Sequence, residues 1–399
     1  MPIHSRGTFC SKTTLGGPAV FQLARYGRVS EAALSVKTGE EHNTQSKQSP
    51  IPRSAIHNLY WSFAHRRQAA FERRVAGAPS PWSDDLILQR FKFCNVFRAA
   101  DRVSQYMIRE VACAPYRDDS ADRLFRIIAF RTFSQPETWT GVTQRLHRPP
   151  TLEDLASGAF ERALDDVKRE RGGLYTGAFI LCATKAFGFA EKHRNHVALF
   201  KHMFFERHVS ERILGASSLE EVVRILESFP LTGPFMSYQI AIDINYSDLI
   251  AFDENDYTQA GPGALRGIKK AFVDLGGFTP SDIIKRMVDL QDIEFDRLAL
   301  PFRGLWGRPL HAIDCQGLFC ELDKYCREAA PDLLSARSRI KARFVPSKGP
   351  IHFFFPPKWG LNDRAGSLVG VTENTQLRLF RAHAADAEET YNQYVAKFA

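Results

Sequence analysis

The sequence predicts an all-α protein, one helical domain followed by a small C-terminal extension. Apolar residues recur at helical spacing from residue 54 to about 327, breaker clusters divide that stretch at helix-length intervals, and cap signals stand at several segment starts. The composition agrees: 44% apolar and 25% charged residues in a chain of 399 allow a substantial core and exclude collagenous and fully disordered classes.

Residues 1–53 are rich in Ser, Thr, Gly and Gln, show little periodicity and end in the breaker cluster Lys47-Gln-Ser-Pro-Ile-Pro-Arg53, so a flexible tail is expected there. Residues 54–330 make the helical domain. Its breakers are Gly77-Ala-Pro-Ser-Pro81, His147-Arg-Pro-Pro150, Arg171-Gly-Gly173 and Gly261-Pro-Gly263. Ser83 before Asp84 and Asp85, Thr151-Leu-Glu-Asp154 and Ser218-Leu-Glu-Glu221 have the chemistry of helix N-caps. Residues 331–399 differ in character. Arg337, Arg339, Lys341 and Arg343 lead into Ile351-His-Phe-Phe-Phe-Pro-Pro357, which reads as a short extended segment on an edge, and a final helix is expected near residues 375–398. There is no internal repeat.

The formal charge of +8 comes from 53 Lys and Arg against 45 Asp and Glu, which favours a polyanionic partner without establishing one. Seven cysteines, an odd number set mostly in apolar or helical runs, suit reduced thiols. No apolar run has signal-peptide character or approaches the roughly 20 residues that span a bilayer, so a cytoplasmic protein without a membrane partner is expected. The oligomeric state is open, with a monomer expected.

The most specific stretch is Phe229-Pro-Leu-Thr-Gly-Pro-Phe-Met-Ser-Tyr-Gln-Ile-Ala241, followed by Ile250-Ala-Phe-Asp-Glu-Asn-Asp256. Leu219, Val222, Val223 and Leu226 fall at i, i+3, i+4 and i+7, marking a helix that ends near Phe229 because Pro230 cannot continue it. Gly233 is expected to carry the unusual backbone of a tight hairpin, and Pro234 suits the first position of a new helix running through Tyr246. The turn then presents free N–H groups and the positive end of a helix dipole, an arrangement that grips a DNA phosphate without reading sequence. An ordinary helix–helix turn is the competing reading.

Leu231-Thr-Gly233 with the apolar helix behind it, then Ile250-Ala-Phe-Asp253, resembles the helix-hairpin-helix DNA glycosylases of the endonuclease III superfamily. Gly233-Pro-Phe-Met-Ser-Tyr-Gln239, Phe252-Asp-Glu-Asn-Asp256, Gly261-Pro-Gly-Ala-Leu-Arg-Gly267 and Ile313-Asp-Cys-Gln-Gly-Leu-Phe-Cys-Glu321 resemble more closely the helical-domain family named for hydroxymethyluracil DNA kinase, also described as alpha-glutamyl/putrescinyl thymine pyrophosphorylase. Pro81-Trp-Ser-Asp84 and Phe93-Cys-Asn-Val-Phe-Arg98 extend the match, which covers roughly residues 58–327.

The resemblance implies a DNA partner, a helix-hairpin-helix glycosylase-like fold and a catalytic Asp253, with Glu254, Asn255 and Asp256 as possible support. An ionised carboxylate beside the anomeric carbon of an extruded nucleotide could stabilise positive charge on the sugar or orient a water, with no metal and no cofactor. Asp253 or Asp256 could equally cap an Asp/Asn-rich turn. Ser237 falls near the place of the hairpin lysine that strand-cleaving relatives use, and it cannot form a Schiff base, so simple excision leaving an abasic site is expected. Leu231, Thr232, Gly233, Phe235 and Ser237 would contact the DNA backbone, although Pro234 has no N–H to donate. Asn95 and Arg98, on an early helix that lines the base pocket in the resembling superfamily, are candidate base readers, and Trp82 and Tyr106 are candidate pocket walls that compete with a core role. Arg266, Lys269 and Lys270 lie within i, i+3 and i+4 reach, as a phosphate stripe or a solvated basic face.

Cys315, Cys320 and Cys326 lack iron–sulfur spacing and read as core thiols. His193, His196, His202 and His208 read as a cationic face rather than a zinc site. No G-x-x-x-x-G-K-[ST] loop occurs, so kinase chemistry is not expected of this chain. The resemblance to this family, some of whose members are similar to anti-phage glycosylases of hypermodified bases, implies as the leading expectation a glycosylase that removes a bulky modified base, such as a glucosylated hydroxymethyl-pyrimidine, in defence against phage. The alternatives are a transferase that elaborates a pyrophosphorylated hydroxymethyl-pyrimidine in DNA, and a non-catalytic DNA-binding module.

Overall fold

The computed structural model describes residues 47–114, 119–177, 185–333, 339–346 and 353–367. They are predominantly helical. Helix α1 (Ser54–Val75) follows strand β1 (Ile51–Pro52), which pairs antiparallel with β2 (Phe272–Asp274). Pro52 lacks an N–H, and a two-stranded edge tolerates that. The last residues of the expected tail therefore belong to the fold, with Gln48 N–H donating to the Gly276 carbonyl at 3.0 Å.

Local chemistry explains most helix boundaries. Asp85, rather than Ser83, caps α2 (Leu86–Arg90), accepting from the Ile87 and Leu88 N–H groups, while the Ser83 hydroxyl accepts from Asp85 N–H. Helix α3 (Arg102–Met107) widens into a π turn at Ile108–Ala112. Asp119 caps α4 (Ser120–Phe133), Pro136 opens α5 (Pro136–Leu146), and Thr151 and Asp154 close a reciprocal capping box on α6 (Leu152–Ser157). Helix α7 (Ala159–Arg171) stops at Gly172, whose φ of 75° ends it in left-handed backbone. Then come α8 (Lys192–Lys201), α9 (Val209–Leu214), α10 (Leu219–Glu227), α11 (Pro234–Tyr246), α12 (Pro262–Ala271), α13 (Pro280–Arg297), α14 (Ala312–Ala329) and α15 (Asn362–Ser367).

Helix α11 is the centre of the domain. Every residue from Met236 to Tyr246 is buried, as expected of a helix packed on all sides. It lies against α4 and α10, and its Asp243 accepts from Arg131 of α4 in a buried ion pair. The other dominant pairing is α12 on α14. Gly263 and Gly267 allow it: a Cβ at Gly263 would lie 2.3 Å from the Cys320 Sγ, and one at Gly267 would lie 2.0 Å from the Phe319 carbonyl oxygen.

Several expectations need correction. Phe353 to Pro356 are extended but form no strand, being held by Gln105, whose Oε1 accepts from Phe354 N–H at 2.8 Å. Arg337, residues 351–352 and the final helix expected near residues 375–398 lie outside the described residues. His193 and His196 are no cationic face. Both are buried, His193 bonding Asp165 at 2.7 Å and His196 bonding the Tyr175 hydroxyl at 2.7 Å. No helix among the described residues is long and apolar enough to cross a membrane.

Candidate active site

The hairpin is present, built differently from the expectation. Helix α10 ends with its last carbonyls taken by hydroxyls: Ser228 Oγ donates to the Ile225 carbonyl at 2.6 Å, and Thr232 Oγ1 shares its one proton between the Leu226 carbonyl at 2.7 Å and that of Phe229, just past the helix, at 2.8 Å. The left-handed residue is Leu231, with φ of 68°, whereas Gly233 has an ordinary φ of −80°. A Cβ at Gly233 would meet nothing within 4 Å, so neither conformation nor internal packing requires glycine there. Thr232 and Ser237 are buried, which removes both from any DNA-facing surface. Leu231 is half-buried against the core, and the Phe235 ring fills the space where a Gly261 side chain would stand, 2.6 Å from its Cβ position.

From the end of α11 the chain turns back along it. Asn245 clamps the returning strand, donating to the Phe252 carbonyl at 2.9 Å and accepting from Phe252 N–H at 3.0 Å. The acidic turn follows at once. The Asp253 side chain is exposed and accepts from Asn255 N–H at 2.8 Å, stabilising the turn locally. Asn255 Oδ1 accepts from Ala312 N–H at 2.9 Å, docking the turn on the first residue of α14, and Asp256 is exposed.

Glu254 is the acidic residue that points inward. Only 6% exposed, its Oε1 accepts from Arg308 Nη2 at 2.7 Å and from Trp359 Nε1 at 3.1 Å, while Oε2 has no hydrogen-bond partner among the described residues. Arg308 is delivered by a tight turn in which the Leu305 and Arg308 backbones bond each other, with Trp306 and Gly307 between them at φ of 50° and 95°. Two successive positive φ values are those of a type I′ turn, and a tryptophan held there is strained. The Arg308 guanidinium lies 3.6 Å from the centre of the Trp359 ring, which meets the Tyr246 ring edge-on at 5.3 Å.

Arg98 closes the arrangement. Its Nε donates to Gln239 Oε1 at 3.0 Å, its Nη2 donates to Asp243 Oδ1 at 2.8 Å, and its backbone N–H donates to Asp314 Oδ1 at 2.8 Å. Burial works against the Arg98 charge, but Asp243 and Tyr246 outweigh it and hold the guanidinium more firmly protonated than usual. Burial pushes the Tyr238 and Tyr246 hydroxyls well above the ordinary tyrosine range and raises the Asp314 carboxyl, so the phenols are neutral donors across physiological pH. Lys358 donates to the Ile250 carbonyl at 2.9 Å, and burial lowers its ammonium.

The remaining candidates lie elsewhere or are already engaged. Asn95 ties its own loop, donating to the Ala100 carbonyl at 2.7 Å while its Oδ1 accepts from Arg67. Tyr106 stacks on Phe130 and bonds the Thr140 hydroxyl, and Trp82 packs on Arg74 and Phe344, so both are framework residues. Arg266 and Lys270 are consumed by the fully buried Asp323, at 3.0 and 3.1 Å, which leaves Lys269 as the exposed cation of that trio. Asp165, Glu191 and His193 bring ligand atoms within 4.8 Å of one another, but Lys168 and Arg194 pair with their carboxylates, making an ion-pair cluster of them. Sequence reasoning missed Arg308, Trp359, Gln239 and Asn245. The two glycines of Gly304-Leu-Trp-Gly307 are a turn signal that could have drawn attention to Arg308.

Residues 54–335 match the model of the helical domain of 5-hmdU DNA kinase. The 5-hmdU DNA kinase of Bacillus phage SP10 is 26% identical over 306 residues, covering 71% of this chain and 47% of its own length. The chain thus spans about half the length of the curated relative it matches. No solved structure matches. These findings overturn the expectation of base excision. The named relative is a kinase, a phosphoryl transferase acting on a modified base in DNA, and not a hydrolase that cuts the base from its sugar. The monofunctional glycosylase, its abasic product, the defence role and the glycosidic duty given to Asp253 fall together.

Proposed function

The chain belongs to the family of the 5-hmdU DNA kinase helical domain, and on that premise we propose that it is a transferase acting at the hydroxymethyl group of a modified pyrimidine in DNA. The observation that carries the reading beyond the family is the buried Glu254, held by Arg308 and Trp359 with one carboxylate oxygen left over, while Arg98 lies 5.5 Å from the centre of the Tyr246 ring that Trp359 meets. A base must leave the duplex to reach such a site. There, Glu254 Oε2 is placed to accept the proton of the hydroxymethyl oxygen as that oxygen takes up the transferred group, and Arg98 and Arg308 supply fixed positive charge for an anionic donor or leaving group.

The chain holds no G-x-x-x-x-G-K-[ST] loop. A donor's phosphates would therefore be met by the fixed charge of Arg98 and Arg308 rather than by such a loop. The start of α11 supports a grip on DNA: the open side of Gly233, immediately before the helix, admits close backbone approach. Lys269 adds an exposed cation on α12.

The test is nucleoside mass spectrometry after incubating the protein with DNA containing 5-hydroxymethyluracil, a nucleoside triphosphate and simple amines. A heavier base still attached to deoxyribose is expected, with the yield lost in Glu254→Gln and retained in Asp253→Asn. Recovery of the unchanged nucleoside under every condition sinks the proposal, as does release of free base.

A further inference from the structure

We propose that the antiparallel ladder between residues 90–92 and 341–344 is a phosphate-gripping surface for the DNA duplex that flanks the modified base, resting on the transferase reading for the identity of its polyanion. Backbone bonds fix the ladder. Lys92 N–H donates to the Ala342 carbonyl at 3.0 Å, Phe344 N–H donates to the Arg90 carbonyl at 3.1 Å, and Phe91 stands opposite Arg343. Its second half lies beyond the family-matched residues 54–335.

Cations crowd this ladder. Arg90, Lys92, Lys341 and Arg343 are exposed, as is Arg339 just before them. The pairing brings the two sets together: the Arg90 and Arg343 guanidiniums lie 5.1 and 5.0 Å from the centre of one ring, that of the buried Phe91. Lys92 is bonded to Ala342, the neighbour of Lys341. None of the five cations has a carboxylate partner among the described residues. Exposed arginines elsewhere do, Arg102 pairing with Glu137, Arg169 with Asp166 and Arg224 with Glu220. The carboxylates that open α2, a few residues upstream of Arg90, are already taken, Asp84 by Arg73 and Asp85 by Arg66 and Tyr325.

Like charges gathered without carboxylates repel one another, and a row of phosphates relieves that repulsion while shedding its own condensed counterions. The place suits DNA flanking an extruded base. Six residues separate Lys92 from Arg98, which limits their Cα atoms to about 20 Å, less than the roughly 34 Å of one duplex turn. Cations on an exposed edge also discourage pairing with strands of other chains, a role that needs no DNA. Salt dependence separates the two.

Anisotropy with a plain duplex at a series of salt concentrations gives the slope of log affinity against log salt. Arg90→Gln, Lys92→Gln, Lys341→Gln and Arg343→Gln combined are expected to reduce that slope by about 3 and to weaken binding at low salt at least about tenfold. Arg162→Gln, Arg169→Gln, Arg171→Gln and Lys185→Gln combined remove as much charge from exposed positions elsewhere and are expected to leave the slope within about 1 of the parent's. Thermal unfolding checks that both variants are folded. If the ladder variant is not, Lys92→Gln with Lys341→Gln, which stack on no ring among the described residues, carries the test with an expected fall of about 1.5. A folded ladder variant with the parent's slope overturns the proposal and leaves edge protection, as does an equal fall in both fourfold variants or a parent protein that binds no duplex. No reaction enters this measurement: a reduced slope in a protein that transfers nothing leaves the surface standing and removes the reaction, and transfer with an unchanged slope does the reverse.

Discussion

Asp323 is wholly buried and holds three cations: Arg266 at 3.0 Å, Lys270 at 3.1 Å and Arg327 at 2.9 Å. Burial works against its charge, but the bonds from Arg327, Lys270 and Arg266 hold the carboxyl below its usual 3.8. Asp323→Ala would leave buried cations unpaired and is expected to cost about 3–5 kcal/mol in urea unfolding. Because the folded value is depressed, this contribution is present above pH 3.8 and is lost as pH falls through the folded value.

His196 is depressed too, because burial keeps it neutral and not because partners keep it charged. Burial, with Lys192 and His193 nearby, pushes it down to about 3 from 6.5, so it is neutral in the folded protein and protonates first when unfolded. Its contribution to stability is full above pH 6.5 and declines toward pH 3, at up to about 1.4 kcal/mol per pH unit. Urea titrations across that window should show a shallower decline in His196→Gln. At this scale the sequence was readable for residue type and poorly readable for direction. The Asp/Asn-rich turn was visible, but whether Asp253 or Glu254 faces inward depends on Arg308 and Trp359, which arrive from 54 and 105 residues away.

Among the elements, the hairpin was legible because its punctuation is local: Pro230 bars continuation, Pro234 starts α11, and the apolar stripe of α10 has helical period. Its fine structure was not, since Leu231 takes the left-handed position that glycine usually fills and Thr232 supplies the cap. Gly233→Ala separates folding from function here. The open Cβ position and φ of −80° predict a stability change within about 0.5 kcal/mol. DNA affinity should fall if the backbone is approached by phosphate, and anisotropy with a plain duplex measures it. Gly261-Pro-Gly263 was read as a breaker, yet its second glycine and Gly267 make the α12–α14 contact. Gly267→Ala would push a methyl into the Phe319 carbonyl and should destabilise by about 1–3 kcal/mol or more, measured by urea unfolding.

Across the whole molecule, the expected all-α character holds, while the separation of a C-terminal extension hides its contribution. Trp359 lies beyond the family-matched residues 54–335 and still bonds Glu254, covers Arg308 and meets Tyr246. Non-local contacts of this kind leave no period or spacing to read. Trp359→Phe keeps a ring over Arg308 and removes the N–H. It is expected to lower the rate of base modification about tenfold while shifting unfolding by no more than about 1.5 kcal/mol. An unchanged rate with altered stability would make Trp359 framework alone.

The glycines between α12 and α14 have a mechanical consequence. Where Gly267 rests on the Phe319 carbonyl there is no layer of side chains to shear, and the two helices are bound further by the salt links of Asp323. They must therefore travel as one rigid block. A base reaching Glu254 would be admitted by displacement of the Leu305–Arg308 turn and the Trp359 segment, which supply the two donors to Glu254. Hydrogen exchange should find slow amides along α12 and α14 and faster ones in those two loops.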